Sequence, residues 1–222
     1  MTIVNDYTAI LGGDYWSGKD ASAAPAFVTF SFEKQAQDYI PAGSINTAML
    51  NSFAPLTAGE KAEARAALDA WASISGLVVV EVKAGDGDMR FGKYDFSLDS
   101  SHSSAAGYAY FPYTDTDANF SYRSDIGGDV FLDYGYADEP YTLLHEVGHA
   151  LGFKHPFEGA VTLGSKFDDT SHTVMSYTGA RVDHLSPFDI EAVQTIYGDA
   201  ASDAADLASW SFNSRTSTLN RT

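Results

Sequence analysis

Residues 27–32, FVTFSF, alternate between apolar and polar side chains, which is the period of a half-buried strand. The rhythm then changes. In residues 55–76, PLTAGEKAEARAALDAWASISG, Leu68, Trp71 and Ile74 recur at helical spacing. Thr57 and Glu60 form a capping-box pattern at its start, and Gly76 is placed to close it. Residues 77–82, LVVVEV, are apolar almost throughout and predict a buried strand. Strand, helix, strand reads as a crossover unit with parallel pairing. Residues 89–92, MRFG, predict a third strand. Pro140 suits the first turn of a helix whose Leu143, Leu144, Val147 and Leu151 point inward. Ser186-Pro187-Phe188-Asp189 opens a last helix that Gly198 ends. Residues 1–26 show little periodicity and read as an arm or loop, with Tyr15 and Trp16 as anchors. Residues 95–127 are long, polar and aromatic, which points to a functional loop or ion site. Residues 199–209, DAASDAADLAS, have no helical face and read as a linker.

At 222 residues the chain suits one domain with room for two lobes, and its 45% apolar content excludes a disordered chain. Thirty acidic against 13 basic residues give a formal charge of −17, which argues against nucleic acid and anionic membrane as partners. An acidic surface suits cationic substrates or calcium; it also serves plain solubility. There is no cysteine, hence no disulfide framework. No apolar run approaches the ~20 residues of a membrane span. The first ten residues, MTIVNDYTAI, lack the basic start and apolar core of a signal peptide.

Three of the six histidines lie in residues 145–155, HEVGHALGFKH. Positions four apart share a helix face, so His145 and His149 aim at a common point. Continued helix would carry His155 about 9 Å along the axis and round to the far side. The chain must therefore turn back. Gly152 permits the turn and Pro156 bars further helix. Three neutral imidazoles converging from two directions make three corners of a tetrahedron with one left open, as in a catalytic zinc site. Glu146, beside His145 but off the ligand axis, is placed to take a proton from water and return it to a leaving group. The short HExxH pattern alone arises by chance; Gly152 and His155 at fixed offsets make chance a far poorer account. The competing reading is an ordinary amphipathic helix, and its apolar residues are core in either case. His102 and His184 read as exposed loop residues. His172 lies near the site and reads as surface, with substrate contact as the other option.

With Pro156 the stretch becomes HEVGHALGFKHP, which resembles the metzincin zinc endopeptidases and within them the serralysin-like branch of secreted bacterial proteases. Residues 173–179, TVMSYTG, are similar to that family's methionine turn. The resemblance implies that Met175 floors the three imidazoles and that Tyr177 approaches the zinc to stabilise a tetrahedral intermediate. Residues 107–112, GYAYFP, are similar to the edge strand above the cleft. Residues 128–133, GDVFLD, resemble the strand before the zinc helix, and residues 185–198, LSPFDIEAVQTIYG, the closing helix. The likeness spans residues 27–198 and is sharp over 141–198.

It implies an α/β metzincin (zincin-like) catalytic domain. A twisted, mostly parallel five-stranded sheet with two helices would form an upper lobe. The methionine turn and C-terminal helix would form a small lower lobe. Residues 1–26 would be an N-terminal arm, 27–198 the catalytic domain, and 199–222 a linker or the start of a missing module. The arm's Asp6, Asp14 and Asp20 read as solvated rather than as latency ligands. The segment between His155 and Met175 is short for a serralysin, no propeptide is recognisable, and no cysteine can block the metal. The family's calcium repeats are absent: residues 85–88, GDGD, resemble half of one but read as a turn. The tail, residues 209–222, is similar to the beginning of that module. The chain reads either as a fragment of a longer protein or as a stand-alone catalytic domain.

The expected function is a secreted zinc metalloendopeptidase acting on extended protein or peptide substrates. Glu146 is the general base, Tyr177 helps hold the oxyanion, and Tyr108, Ala109 and Tyr110 pair with the substrate backbone. The cofactor is zinc, with calcium as a second candidate. Expected partners are the substrates and a proteinaceous inhibitor, with no nucleic acid or membrane, and the chain is expected to be monomeric. The family is exported from bacteria by a C-terminal signal, so the missing signal peptide is compatible with secretion. The alternative is a non-catalytic zinc-stabilised module of a larger secreted or adhesive protein. Glu146 and Tyr177 count against it, since a structural site needs neither.

Overall fold

The computed structural model describes residues 1–18, 23, 25–36, 46–112 and 126–200, and the backbone of 210–213 and 218–221. In chain order it contains strand β1 (Thr2–Val4), a 3-10 turn (Tyr7–Ile10), β2 (Ala26–Phe32) and a short helix α1 (Thr47–Asn51). Then come α2 (Ala58–Ala72), β3 (Leu77–Glu81), β4 (Met89–Tyr94), a 3-10 turn (Phe96–Leu98) and β5 (Gly107–Ala109). The remainder is β6 (Val130–Asp133), α3 (Pro140–Ala150), β7 (Val161–Leu163), α4 (Pro187–Tyr197), β8 (Trp210–Asn213) and β9 (Thr218–Arg221). The last two pair as an antiparallel hairpin. No helix among the described residues is long and apolar enough to cross a membrane.

Five strands form one sheet in the order β3-β2-β4-β6-β5. All neighbours are parallel except β5, which runs antiparallel to β6 at the edge. The crossover from β2 through α2 to β3 is the one the alternation predicts, with Phe27 opposite Val78. Thr57 caps α2 through both bonds of the capping box, Glu60 Oε2 accepting from Thr57 N and Thr57 Oγ from Glu60 N. Two expectations differ in detail. The helix ends at Ala72 with Ser73 as its cap, short of Gly76, because the Ser73 amide still bonds back to Asp69 while the chain then turns into β3. And β3 is half-buried rather than buried, since it is the outer strand of the sheet and only Leu77 is fully covered.

Helix α2 packs on α3 through Trp71, which is fully buried. Its indole Nε1 donates to Leu144 O at 3.1 Å, and its ring stacks on Phe153 at 5.2 Å. Leu143, Val147 and Leu151 fill the same core. A smaller cluster of Met49, Tyr94, Phe96, Ile126 and Phe131 closes the other face near β5.

The first 18 residues do not stand off as an arm. Strand β1 pairs in parallel with β7, Ala9 and Ile10 are buried, and Tyr15 lies in the main core. Trp16 Nε1 donates to Ala150 O at 2.9 Å. A three-residue strand is too short to show its period, so pattern alone could not reveal it. Asp6 caps the 3-10 turn by accepting from Thr8 N. Asp20 and residues 113–125 and 201–209 fall outside the described residues. The 85–88 segment is a turn: Asp86 N bonds to Lys83 O, and Asp88 accepts from Thr29 N.

Candidate metal centre and active site

Helix α3 is a short helix with Pro140 at its first turn, and every residue from Thr142 to Ala150 is buried. It therefore presents His145, Glu146 and His149 inside the molecule. Gly152 ends the run with φ 102°, a left-handed backbone that side chains rarely adopt. A Cβ there would also collide with Asp14 O and lie 2.6 Å from the Tyr15 ring. The turn brings His155 back over the helix. His145 Nε2 and His149 Nε2 lie 3.1 and 3.0 Å from His155 Nε2. Among the described residues, these three form the one group of three or more His, Cys, Asp or Glu with donor atoms close enough to share an ion.

Two of the three tautomers follow from their neighbours. His145 Nδ1 lies 2.7 Å from Val174 O, and His149 Nδ1 lies 2.7 Å from Phe153 O. A carbonyl only accepts, so each Nδ1 carries the proton and each Nε2 offers a lone pair. His155 Nδ1 is 2.9 Å from Glu158 Oε1, without the alignment of a hydrogen bond. Burial, with the nearby His155 imidazole adding to it, pushes His145 down to about 4, and burial with the neighbouring imidazoles holds His149 well below the usual range. Neutral imidazoles aiming lone pairs at one another repel unless a cation lies between them. Nitrogens about 2.05 Å from zinc at tetrahedral angles stand about 3.3 Å apart. The donor set fits a divalent cation such as zinc.

Glu146 is also buried, and Oε2 has no hydrogen-bond partner. Burial pushes its carboxyl up to about 8. A side chain at Gly107 on β5 would come within 2.8 Å of Glu146 Cγ, so glycine there lets the edge strand approach the carboxylate. Two cavities meet over Glu146. One of about 440 Å³ runs between residues 104–107 and Tyr141, Thr170 and Arg181. The other, about 200 Å³, lies among Tyr108, Ala109, Phe111, His149, His155 and Glu158. Gly107, Glu146 and Tyr177 line both.

Tyr177 is exposed, yet its hydroxyl sits 2.7 Å from His155 Nε2 and its ring stacks on His145 at 5.4 Å. Although the ring is largely open to solvent, desolvation at its hydroxyl end, with the Glu146 and Glu158 carboxylates adding to it, raises the phenol to about 12, so it is a donor throughout the neutral range. Met175 is fully buried beside Val174, whose carbonyl orients His145. Asp189 anchors this turn. It accepts from Thr173 Oγ1 at 2.6 Å, Val174 N at 2.9 Å and Ser186 N at 2.8 Å. Tyr141 adds a bond from its hydroxyl to Ser176 O at 2.7 Å.

Along the edge strand the side chains face elsewhere. The Tyr108 ring lies against His102 at 4.3 Å and Phe131 at 4.9 Å. Tyr110 bonds through its backbone to Asp129 O. With the Tyr110 carbonyl also accepting from Gly128 N, the alternation of an antiparallel edge leaves the Ala109 backbone as the one of these three that faces away from β6. His102 is half-buried rather than exposed, held by Asp99 at 2.6 Å. His172 is engaged with Asp169 at 2.9 Å and packs by Phe167 and Phe188. Sequence reasoning missed Glu158 and the tie from Asp189 to the methionine turn. Glu158 stands three residues after His155, the one available signal; the Asp189 tie spans 15 residues and has none.

The family model of peptidase M43, described by pregnancy-associated plasma protein-A, matches residues 94–215. A serralysin of Proteus mirabilis is 30% identical over 90% of this chain and 46% of its own length. A serralysin of Photorhabdus laumondii is 28% identical over 93% of this chain and 46% of its own. A metallopeptidase AprA of Pseudomonas marginalis is 29% identical over 85% and 43%. The chain thus spans under half the length of these relatives. The zinc-helix motif, the three-histidine cluster and the mostly parallel α/β sheet agree with that family match, and the chain belongs to the peptidase M43 family of metzincin-type zinc metalloproteases.

Proposed function

We propose that the chain is the catalytic part of a zinc-dependent endopeptidase, exported from a bacterial cell, that cuts extended protein substrates. The observation that carries this is the convergence of three imidazole Nε2 atoms beside the buried, unpartnered Glu146 carboxylate, where two cavities meet under an edge strand.

His145, His149 and His155 would hold the metal. Zinc, when bound, supplies the positive charge that polarises a carbonyl and acidifies water. That same charge lowers the Glu146 carboxyl from its raised value, which makes it the ionised base the reaction needs. Glu146 Oε2 takes a proton from the attacking water and delivers it to the departing amine. With the His155 lone pair engaged, the Tyr177 hydroxyl loses its acceptor and turns to the substrate oxygen as charge builds there. A substrate lies along β5 as an added strand beside Tyr108, Ala109 and Tyr110, pairing with the outward-facing Ala109 backbone, and leaves a side chain in the larger cavity. In this reading the sheet with α2 and α3 forms the upper lobe. The methionine turn and α4 belong to the lower one.

The test is casein cleavage by the wild type and by Glu146→Gln, each with and without a chelator, alongside metal analysis. Chelator-sensitive cleavage is expected, and Glu146→Gln should keep one zinc per chain while losing about 10²- to 10⁴-fold in rate. Cleavage by Glu146→Gln at the wild-type rate refutes the assignment. Zinc binding with no cleavage by the wild type favours the non-catalytic module.

A further inference from the structure

The loop that carries His155 is fastened to the N-terminal segment, and one side chain is central to the joint. Lys154 Nζ sits among backbone carbonyls: it donates to Ala9 O, to Glu158 O at 2.8 Å, to Val161 O at 3.0 Å and, more weakly, to His155 O at 3.4 Å. Its amide donates to Ile10 O at 2.8 Å. On either side the backbone repeats the tie. Gly12 N donates to Gly152 O at 3.0 Å, Thr2 N to Ala160 O at 2.7 Å and Gly164 N to Val4 O at 2.8 Å. The parallel ladder of Thr2–Val4 on Val161–Leu163 completes it.

An ammonium needs its three protons satisfied, and carbonyl oxygens from residues 9, 158 and 161 do so at once. Two stretches of chain, the N-terminal segment at Ala9 and the loop of residues 154–161, thereby share one point. Without it, the loop from Phe153 to Val161 is held to the N-terminal segment chiefly by the backbone ties named above. His155 is the ligand exposed to that loss, because His145 and His149 are fixed by their own helix.

We propose that Lys154 is a positioning residue for His155, and that residues 1–18 are part of the metal site's foundation, so that their docking and metal binding are coupled. This rests on the zinc reading above. Coupling is reciprocal. Zinc must tighten the N-terminal segment by the same factor by which that segment tightens zinc.

The experiment measures zinc affinity by competition with a chelator for the wild type, Lys154→Met, Lys154→Arg and Gly12→Ala, with circular dichroism as the folding control. Gly12→Ala attacks the joint from its other side, since a Cβ there collides with Gly152 O. Lys154→Met and Gly12→Ala are expected to weaken zinc binding about 10- to 100-fold. Lys154→Arg, which keeps donors at the joint, should recover part of that loss. Should the variants not fold, the wild type alone decides the matter by hydrogen exchange. The amides of Gly12, Lys154 and Gly164 should exchange at least about tenfold more slowly with zinc than with chelator. Folded Lys154→Met with wild-type zinc affinity overturns the proposal, as does amide exchange indifferent to zinc. A wild type that binds no zinc sinks the metal reading itself, a distinct result.

Discussion

Replacing Asp189 by alanine tests how the methionine turn is held. The carboxylate is completely buried and takes three hydrogen bonds, two from backbone amides and one from Thr173. Alanine strands those donors at about 1–3 kcal/mol each, so the loss comes to about 5 kcal/mol after some relaxation. An opposing effect depends on pH. Burial outweighs the three hydrogen bonds and raises the carboxyl from 3.8 to about 6. A group raised on folding contributes stability in full below its unfolded value and loses it as pH rises through the folded one. Ionising Asp189 in place therefore costs about 1 kcal/mol at pH 4.5 and about 3 at pH 7.5. Alanine is free of that cost. The gap between wild type and Asp189→Ala should shrink from about 4 to about 2 kcal/mol across that range. The neighbouring histidines and Glu146 titrate in both proteins and cancel. Urea denaturation with chelator present, at both pH values, measures the gap. A gap under about 1 kcal/mol at both, or one that widens toward pH 7.5, refutes the reasoning.

Tyr177→Phe should bind zinc as the wild type does and lose about 10- to 10³-fold in kcat with KM little changed, because only an oxyanion donor is removed; steady-state kinetics with a quenched peptide decides it, and an unchanged kcat removes Tyr177 from the chemistry. Gly152→Ala forces a side chain into a left-handed backbone against Asp14 O, so it should lose at least about 2 kcal/mol and most of its zinc. A thermal melt and metal analysis that match the wild type would show the turn to be more tolerant than its geometry. Acid should release the metal, since protons compete for the same lone pairs that His145 holds neutral until about pH 4. A metallochromic dye should report release complete before pH 3.5, and full retention there contradicts the ligand assignment.

The sequence made the crossover legible because β2 and α2 have unmistakable periods, and Thr57 with Glu60 marked the helix start as the structure has it. The metal cluster was legible for a different reason: its ligands fall within eleven residues, so helix geometry and one glycine suffice to bring them together. What stayed hidden depends on distant partners. Asp189 reads as a helix cap, which it is, but its bond to Val174 joins residues 15 apart. Nothing near Lys154 in sequence announces Ala9 as its acceptor. The half-buried state of β3 follows from its place at the sheet edge, which local pattern does not encode.

The ladder of β1 on β7 pairs Thr2 with Val161. During synthesis at about 5–20 residues per second, roughly 8–30 s separate the emergence of the two. For that interval the first strand has no neighbour, and the loop bearing the third ligand has not yet been made. Until that loop emerges, the nascent chain cannot bring its three imidazoles together, however much of its sheet has formed.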